Sequence, residues 1–240
     1  MSIQRGPKLS AAANLVLALD AGNKNSYPGS GTTWTDLSGN GNNGTLTNGP
    51  TFDSANGGSI VFDGTDDFVL DSTVPNFNVG CIDIWLRPSS LINAAFVGSS
   101  LVQLKNAATT NNFWYIGFGN ITNLLTNEYI TIVDGGSNRL GVTDGGSLTA
   151  NTWVNIVVNW ESSTYKIYVN NVVKTTSSAG TISQLTVPNQ YILGALRDTS
   201  SSAYSGFFTG NISTVKFYNR TLTSTELLQN YNGTKSRFGL

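Results

Sequence analysis

The sequence predicts an all-β protein, a sandwich of two antiparallel sheets with one short helix near the C-terminus. Three observations predict it. Short runs rich in β-branched, aromatic and aliphatic residues recur along the chain, the clearest of them with a period of two. Between them stand Asn40-Gly41, Asn43-Gly44, Asn48-Gly49, Asn56-Gly57, Gly135-Gly136 and Gly145-Gly146, pairs that enter left-handed backbone at little cost and so reverse the chain. Apolar residues at helical spacing occur convincingly in one place only.

In chain order the predicted strands are 15–20, 59–63, 68–71, 81–87, 96–104, 113–118, 129–133, 153–160, 165–170, 191–194 and 212–218. In 81–87, Ile82, Ile84 and Leu86 share one face and Asp83, Trp85 and Arg87 the other, which separates a core side from a mixed one. In 165–170, Tyr165, Ile167 and Val169 oppose Lys166, Tyr168 and Asn170. Trp85, Trp153 and Trp160 fall in strands and are expected to pack in the core or on a sheet face. The helix begins at Thr223-Ser224-Thr225-Glu226, a capping box, with Leu227, Leu228 and Tyr231 as its apolar side and Asn232-Gly233 as its stop.

No Pro- or Ser-rich linker, charge run or repeat divides the chain, so 14–240 reads as one domain and 1–13 as an extended N-terminal arm. Arg5 and Lys8 precede an apolar stretch that imitates a secretory leader, but Asn14 interrupts it and Asp20 closes it. They are read instead as the charges of a docking arm. No apolar run reaches the roughly eighteen residues of a membrane helix.

Composition narrows the chemistry. The 240 residues contain no His, one Cys and 11% charged residues, against about 25% in ordinary soluble domains. Without His there is no Ser-His-Asp or Cys-His triad and no HExxH zinc site. Cys81 alone forms no intrachain disulfide, and a net charge of −1 with scattered Lys and Arg argues against nucleic acid. Five Trp, nine Tyr and eleven Phe are nevertheless enough for a substantial core.

Five stretches stand in a telling order: VFDGTDDFV at 61–69, IDIWLRP at 82–88, NTWVNIVV at 151–158, YKIYVN at 165–170 and GNISTVKFYNRTL at 210–222. Together they resemble the successive signatures of laminin-G-like domains of the concanavalin A-like lectin/glucanase superfamily, over residues 14 to 235. The resemblance implies a two-sheet antiparallel jelly roll. The opening, LVLALDA at 15–21, SYPGSGTTW at 26–34 and DLSGNGNNGTL at 36–46, is similar to laminin-G-like modules in structural proteins of tailed bacteriophages. The chain departs from the family at Asn155, commonly His, and at Asn170-Asn171, commonly Asn-Gly; Asn tolerates left-handed backbone, so the turn survives.

The superfamily's glucanases carry an E-x-D-x-E strand motif, whose alternate carboxylates flank a sugar. Glu128, Glu161 and Glu226 each lack an acidic residue two or four places away, so that motif is absent and no enzyme is expected. Sugar binding asks for aromatic faces, and Trp34, Trp114, Tyr115 and Tyr204 are the candidates. Asp63, Asp66 and Asp67 form the densest acidic cluster. They read first as a turn stabilised by its own side chains, and second, with Asp36, Asn40 and Asn42, as oxygen donors to a single structural Ca²⁺. The expectation is a non-enzymatic virion protein of a tailed phage, a capsid decoration, fibre or tail accessory subunit. Its partners would be other capsid or tail proteins and host surface glycans, and it would be present as a homo-oligomer or in many copies. The alternative is a secreted or cell-surface carbohydrate-binding module.

Overall fold

In a computed structural model of the protein, residues 14–71, 79–90, 100–105, 113–118, 129–134, 138–143, 148–161, 164–177, 189–197 and 203–240 are described. The predicted arm with Arg5 and Lys8, and the pairs Gly135-Gly136 and Gly145-Gly146, lie outside the described residues.

Two antiparallel sheets account for most of these residues. The first runs β14 (Val172–Ser177), β13 (Thr164–Val169), β12 (Val154–Glu161), β7 (Gly80–Pro88), β18 (Thr209–Tyr218), β5 (Ser59–Asp63), β4 (Thr51–Asp53). β1 (Leu15–Asp20) pairs with the C-terminal half of β18, beyond the half taken by β5. The second runs β11 (Asn138–Thr143), β10 (Tyr129–Asp134), β9 (Phe113–Phe118), β8 (Ser100–Lys105), β15 (Gln190–Leu193), β6 (Phe68–Asp71), β3 (Gly44–Thr47), β2 (Thr33–Trp34). A small hairpin of β16 (Leu196–Arg197) and β17 (Tyr204–Ser205) completes the strands among the described residues. This is the jelly-roll sandwich that the sequence predicts.

The core forms where the alternating apolar sides meet. Ile82, Ile84 and Leu86 of β7, with Ile156, Val158 and Trp160 of β12 and Ile167 of β13, pack against Leu104, Ile116, Tyr191 and Leu193 of the second sheet. In β18 the inward positions are Ile212, then Val215 and Phe217; an odd step needs a bulge, and the register with β7 shifts between Ile212 and Thr214. At the rim, Asn170 and Asn171 both take left-handed backbone and turn β13 into β14. Gly44 opens β3 for a packing reason: a Cβ there would run into Val69 and the Tyr191 hydroxyl.

The outer face of the first sheet is not left to water. Asp83 and Trp85, alternating with the core residues of β7, are 2% and 1% exposed because the C-terminal helix α1 (Ser224–Thr234) lies over them. Its capping box is formed as predicted, the Glu226 amide donating to Thr223 Oγ1 and the Thr223 amide to Glu226 Oε2. The predicted stop is not observed. The helix continues through Asn232 and Gly233, and a 3-10 turn, Lys235–Phe238, follows before Gly239 takes left-handed backbone and ends it. Tertiary packing overrides the local stop signal. Phe238 stacks on Trp85 with ring centroids 4.4 Å apart and lies 4.5 Å from Trp153. Arg237 bonds Asp20 Oδ1 at 2.7 Å, the carbonyls of Asn56 and Gly58 at 2.8 Å each, and Ser213 Oγ at 2.7 Å.

Polar groups under the helix are matched in detail. Asn155 Nδ2 donates to Asp83 Oδ1 at 2.7 Å and Asn230 Nδ2 to Asp83 Oδ2 at 3.3 Å, so two amides satisfy a buried carboxylate. Asn159 imitates a backbone neighbour, accepting from the Leu222 amide and donating to its carbonyl. Burial, with the charge of Asp83 nearby, pushes the Tyr218 phenol well up.

Arg220 grips Glu226 with two nitrogens at 2.9 and 2.5 Å, which holds the Glu226 carboxyl down at about 2 against an ordinary 4.5. A carboxyl depressed on folding stabilises the protein above its unfolded pKa, and that contribution is lost as pH falls towards the folded one. Unfolding free energy measured by urea titration is therefore expected to fall between about pH 5 and 2. In Glu226→Ala that fall should be shallower, with a loss of about 1–2 kcal/mol at pH 7 from the broken cap and the lost Arg220 pair.

Candidate functional site

Strand alternation and the helix entry together make a groove. On the outer face of the first sheet, Val157, Asn159 and Glu161 of β12 stand opposite Tyr168, Lys166 and Thr164 of β13. The bidentate pairing of Asn159 with Leu222 pins the segment 221–224 across this ladder. The space left between them is about 140 Å³, lined by Glu161, Thr164, Lys166, Tyr168, Thr223 and Ser224, with Asn159, Trp160, Thr221 and Leu222 behind. Glu161 and Lys166 are exposed and neither enters an ion pair among the described residues. Tyr168 is half-buried against the cluster of Val157, Tyr218, Leu222 and Leu227, and burial raises its phenol, which therefore stays protonated at neutral pH. The groove thus combines an aromatic wall, one carboxylate, one ammonium and several hydroxyls.

The residues singled out from sequence for sugar binding are placed elsewhere. Trp34 is fully buried in the core, on β2 opposite Gly44, and offers no face to a ligand. A Trp after a Gly-rich loop looked exposed because the pairing of β2 with β3 is a tertiary fact. Tyr204 stacks on Phe68, centroids 4.1 Å apart at 17°, with the Arg197 guanidinium 5.8 Å from its ring. Trp114 and Tyr115 lie on β9, in register with Leu104 and Gln103; their side chains are outside the described residues.

The proposed cation donors separate into two groups. Asp36 is buried and already accepts from the amides of Ala18, Ser38 and Asn42 and from the Ser38 hydroxyl. Asn40 and Asn42 use their side-chain amides to donate to carbonyls of Leu15 and Val16. These three tie the 36–43 loop to β1. Asp63, Asp66 and Asp67, by contrast, bring carboxylate oxygens within 4.8 Å of one another. Asp63 Oδ1 accepts from the Thr65 amide at 2.7 Å, which lowers its pKa, and Asp67 Oδ2 accepts from the Asp63 amide at 3.0 Å while burial raises its own.

Strand alternation puts Lys166 and Tyr168 on the polar side of their strand, but it gives no sign that they share a groove with Glu161. The only available signal was that alternation; the wall formed by 221–224 comes from a segment more than fifty residues away in the chain.

Comparison with known proteins agrees with this architecture. Residues 62–228 match the sequence model of a laminin G family within the concanavalin A-like lectin/glucanases superfamily, and the chain belongs to that family. No curated protein matches it. Among solved structures it is similar to domain 4 of an extracellular GH43 arabinanase from Geobacillus stearothermophilus, in complex with arabinotriose: TM-score 0.66, 15% identity, covering 92% of this chain and 98% of that one. It is also similar to the ligand binding domain of botulinum neurotoxin serotype D in complex with N-acetylneuraminic acid, TM-score 0.67 and 13% identity, with 93% of this chain covered. A botulinum neurotoxin type C structure, whose cell entry depends on two ganglioside molecules, matches at TM-score 0.67 and 14% identity over 93% of this chain. The chain spans about half the length of the toxin chains.

The carboxylate cluster supports a direct measurement. A native-state ligand must raise stability, so a bound Ca²⁺ requires a melting temperature higher in calcium than in chelator, and lower in Asp66→Asn only when calcium is present. Equal melting temperatures would leave the hydrogen-bonded turn as the whole role of Asp63, Asp66 and Asp67.

Proposed function

We propose that this protein is a non-enzymatic glycan-binding domain. The observation that carries the proposal is the groove beside α1, where exposed Glu161 and Lys166, without ion-pair partners among the described residues, flank the half-buried ring of Tyr168. A sugar offers hydroxyls that donate to a carboxylate and accept from an ammonium, and C–H faces that rest on an aromatic ring. Hydrolysis in its usual form needs two carboxyl groups about 5 to 10 Å apart across the glycosidic bond, and among the described residues Glu161 is the one carboxylate lining the groove. Arabinotriose on the arabinanase domain and N-acetylneuraminic acid on the toxin domain support glycan recognition as a use of this architecture.

A second reading is favoured by the opening segment, 15–46, with its resemblance to modules in tailed-phage structural proteins: a virion decoration, fibre or tail accessory subunit. The two are compatible, since a subunit displayed in many copies turns weak glycan contacts into avid attachment.

On a glycan array the protein, presented multivalently, is expected to bind a restricted set of glycans, and the double variant Glu161→Ala/Lys166→Ala to lose at least tenfold of that signal while keeping its melting temperature. Uniform absence of binding would refute the glycan reading. For the virion reading, mass spectrometry of purified particles should find the chain in many copies, and its absence there would refute that reading.

A further inference from the structure

Three features of the groove, taken with the glycan reading on which this step rests, restrict what it holds. The first is shape. The groove measures about 140 Å³ and is closed on one side by the segment 221–224, which leaves a sugar ring seated on Tyr168 no way to continue inward. The second is charge. Glu161 and Lys166 lie diagonally on one sheet face, so an anionic ligand drawn to Lys166 would bring its charge up against Glu161. The helix N-terminus does not tip this balance, because its Thr223 cap is closed by Glu226, which puts a carboxylate where an anion would sit. The third is an apolar shelf. Val173 of β14 pairs with Tyr168 and therefore shares its face, yet it is 53% exposed, so a strip of apolar surface continues outward from the Tyr168 ring.

We infer that the groove takes one terminal residue of an uncharged glycan. The C–H face of the ring rests on Tyr168 and Val173, and a pair of adjacent hydroxyls donates to the Glu161 carboxylate and accepts from Lys166. The wall at 221–224 stops the chain from continuing inward, and the glycan leaves over the β14 edge.

Ligand-observed NMR and calorimetry would test this with the methyl glycosides of glucose, galactose, mannose and arabinose, with N-acetylneuraminic acid and methyl glucuronide as the charged set, and with trisaccharides of the neutral sugars. Glu161→Gln and Val173→Ser alter exposed side chains and leave the core intact, and Lys24→Ala serves as a distant control. At least one neutral methyl glycoside is expected to bind, at least tenfold tighter than either acidic sugar, and at least tenfold weaker in both groove variants than in Lys24→Ala. Trisaccharides should gain less than fivefold over the single residue. Tighter binding of an acidic sugar, or binding by trisaccharides alone, would overturn the ligand assigned here. Glycan binding that ignores both groove variants would overturn the site while leaving the glycan reading standing; no binding by any of these sugars and a blank glycan array would remove both.

Discussion

The outer face of the first sheet carries a carboxylate and two tryptophans that a sandwich alone would leave half in water, and the C-terminal tail is what covers them. Phe238 stacks on Trp85 and lies against Trp153, Tyr231 stacks on Trp85 about two helical turns earlier, and Trp153 Nε1 donates to Asn56. Arg237 then joins the tail to β1, to the 55–58 turn and to β18 through a single guanidinium. Five donors in one rigid plane suit Arg to this task, because each bond fixes the geometry of the next. The close fit leaves no room at Gly22, where a Cβ would collide with the Gly57 carbonyl and with Arg237.

The same layer explains how a chain with so few charges organises buried polar chemistry. Asp83 sits beneath the helix without an ion pair among the described residues, and what replaces a cation is a pair of side-chain amides. Asn155, which stands where the resemblance leads one to expect His, both donates to Asp83 and bonds the Ile84 carbonyl. Asn159, Asn42 and Asn40 act likewise on backbone groups of Leu222, Val16 and Leu15. An amide offers a donor and an acceptor without the cost of desolvating a charge, so Asn builds loop anchors in this fold at lower expense than Asp or Lys would.

The groove is a consequence of that layer rather than a separate feature. Its floor is a two-strand ladder that any antiparallel pair would present, and its wall exists because Asn159 holds Leu222 and the capping box fixes the helix entry directly after it. The groove is shallow, with one aromatic side chain and two opposite charges along it.

From sequence alone the sandwich was legible, because a period of two, Asn-Gly reversals and a capping box are local signals whose physics acts within a few residues. Strands 15–20, 59–63, 68–71 and 113–118 were placed to the residue for that reason. So was the lack of a paired-carboxylate strand motif, since spacing along one strand decides it. Tertiary structure decided everything that depends on which segments meet. Trp34 is core and not a sugar platform because β2 closes on β3; Asp36 and Asn42 anchor a loop because β1 runs beneath them; α1 overruns Asn232-Gly233 because Phe238 and Arg237 find partners farther on. Glu161, Lys166 and Tyr168 line a groove only when residues 221–224 cross their strands, and a contact between segments so far apart leaves no periodic trace in the chain.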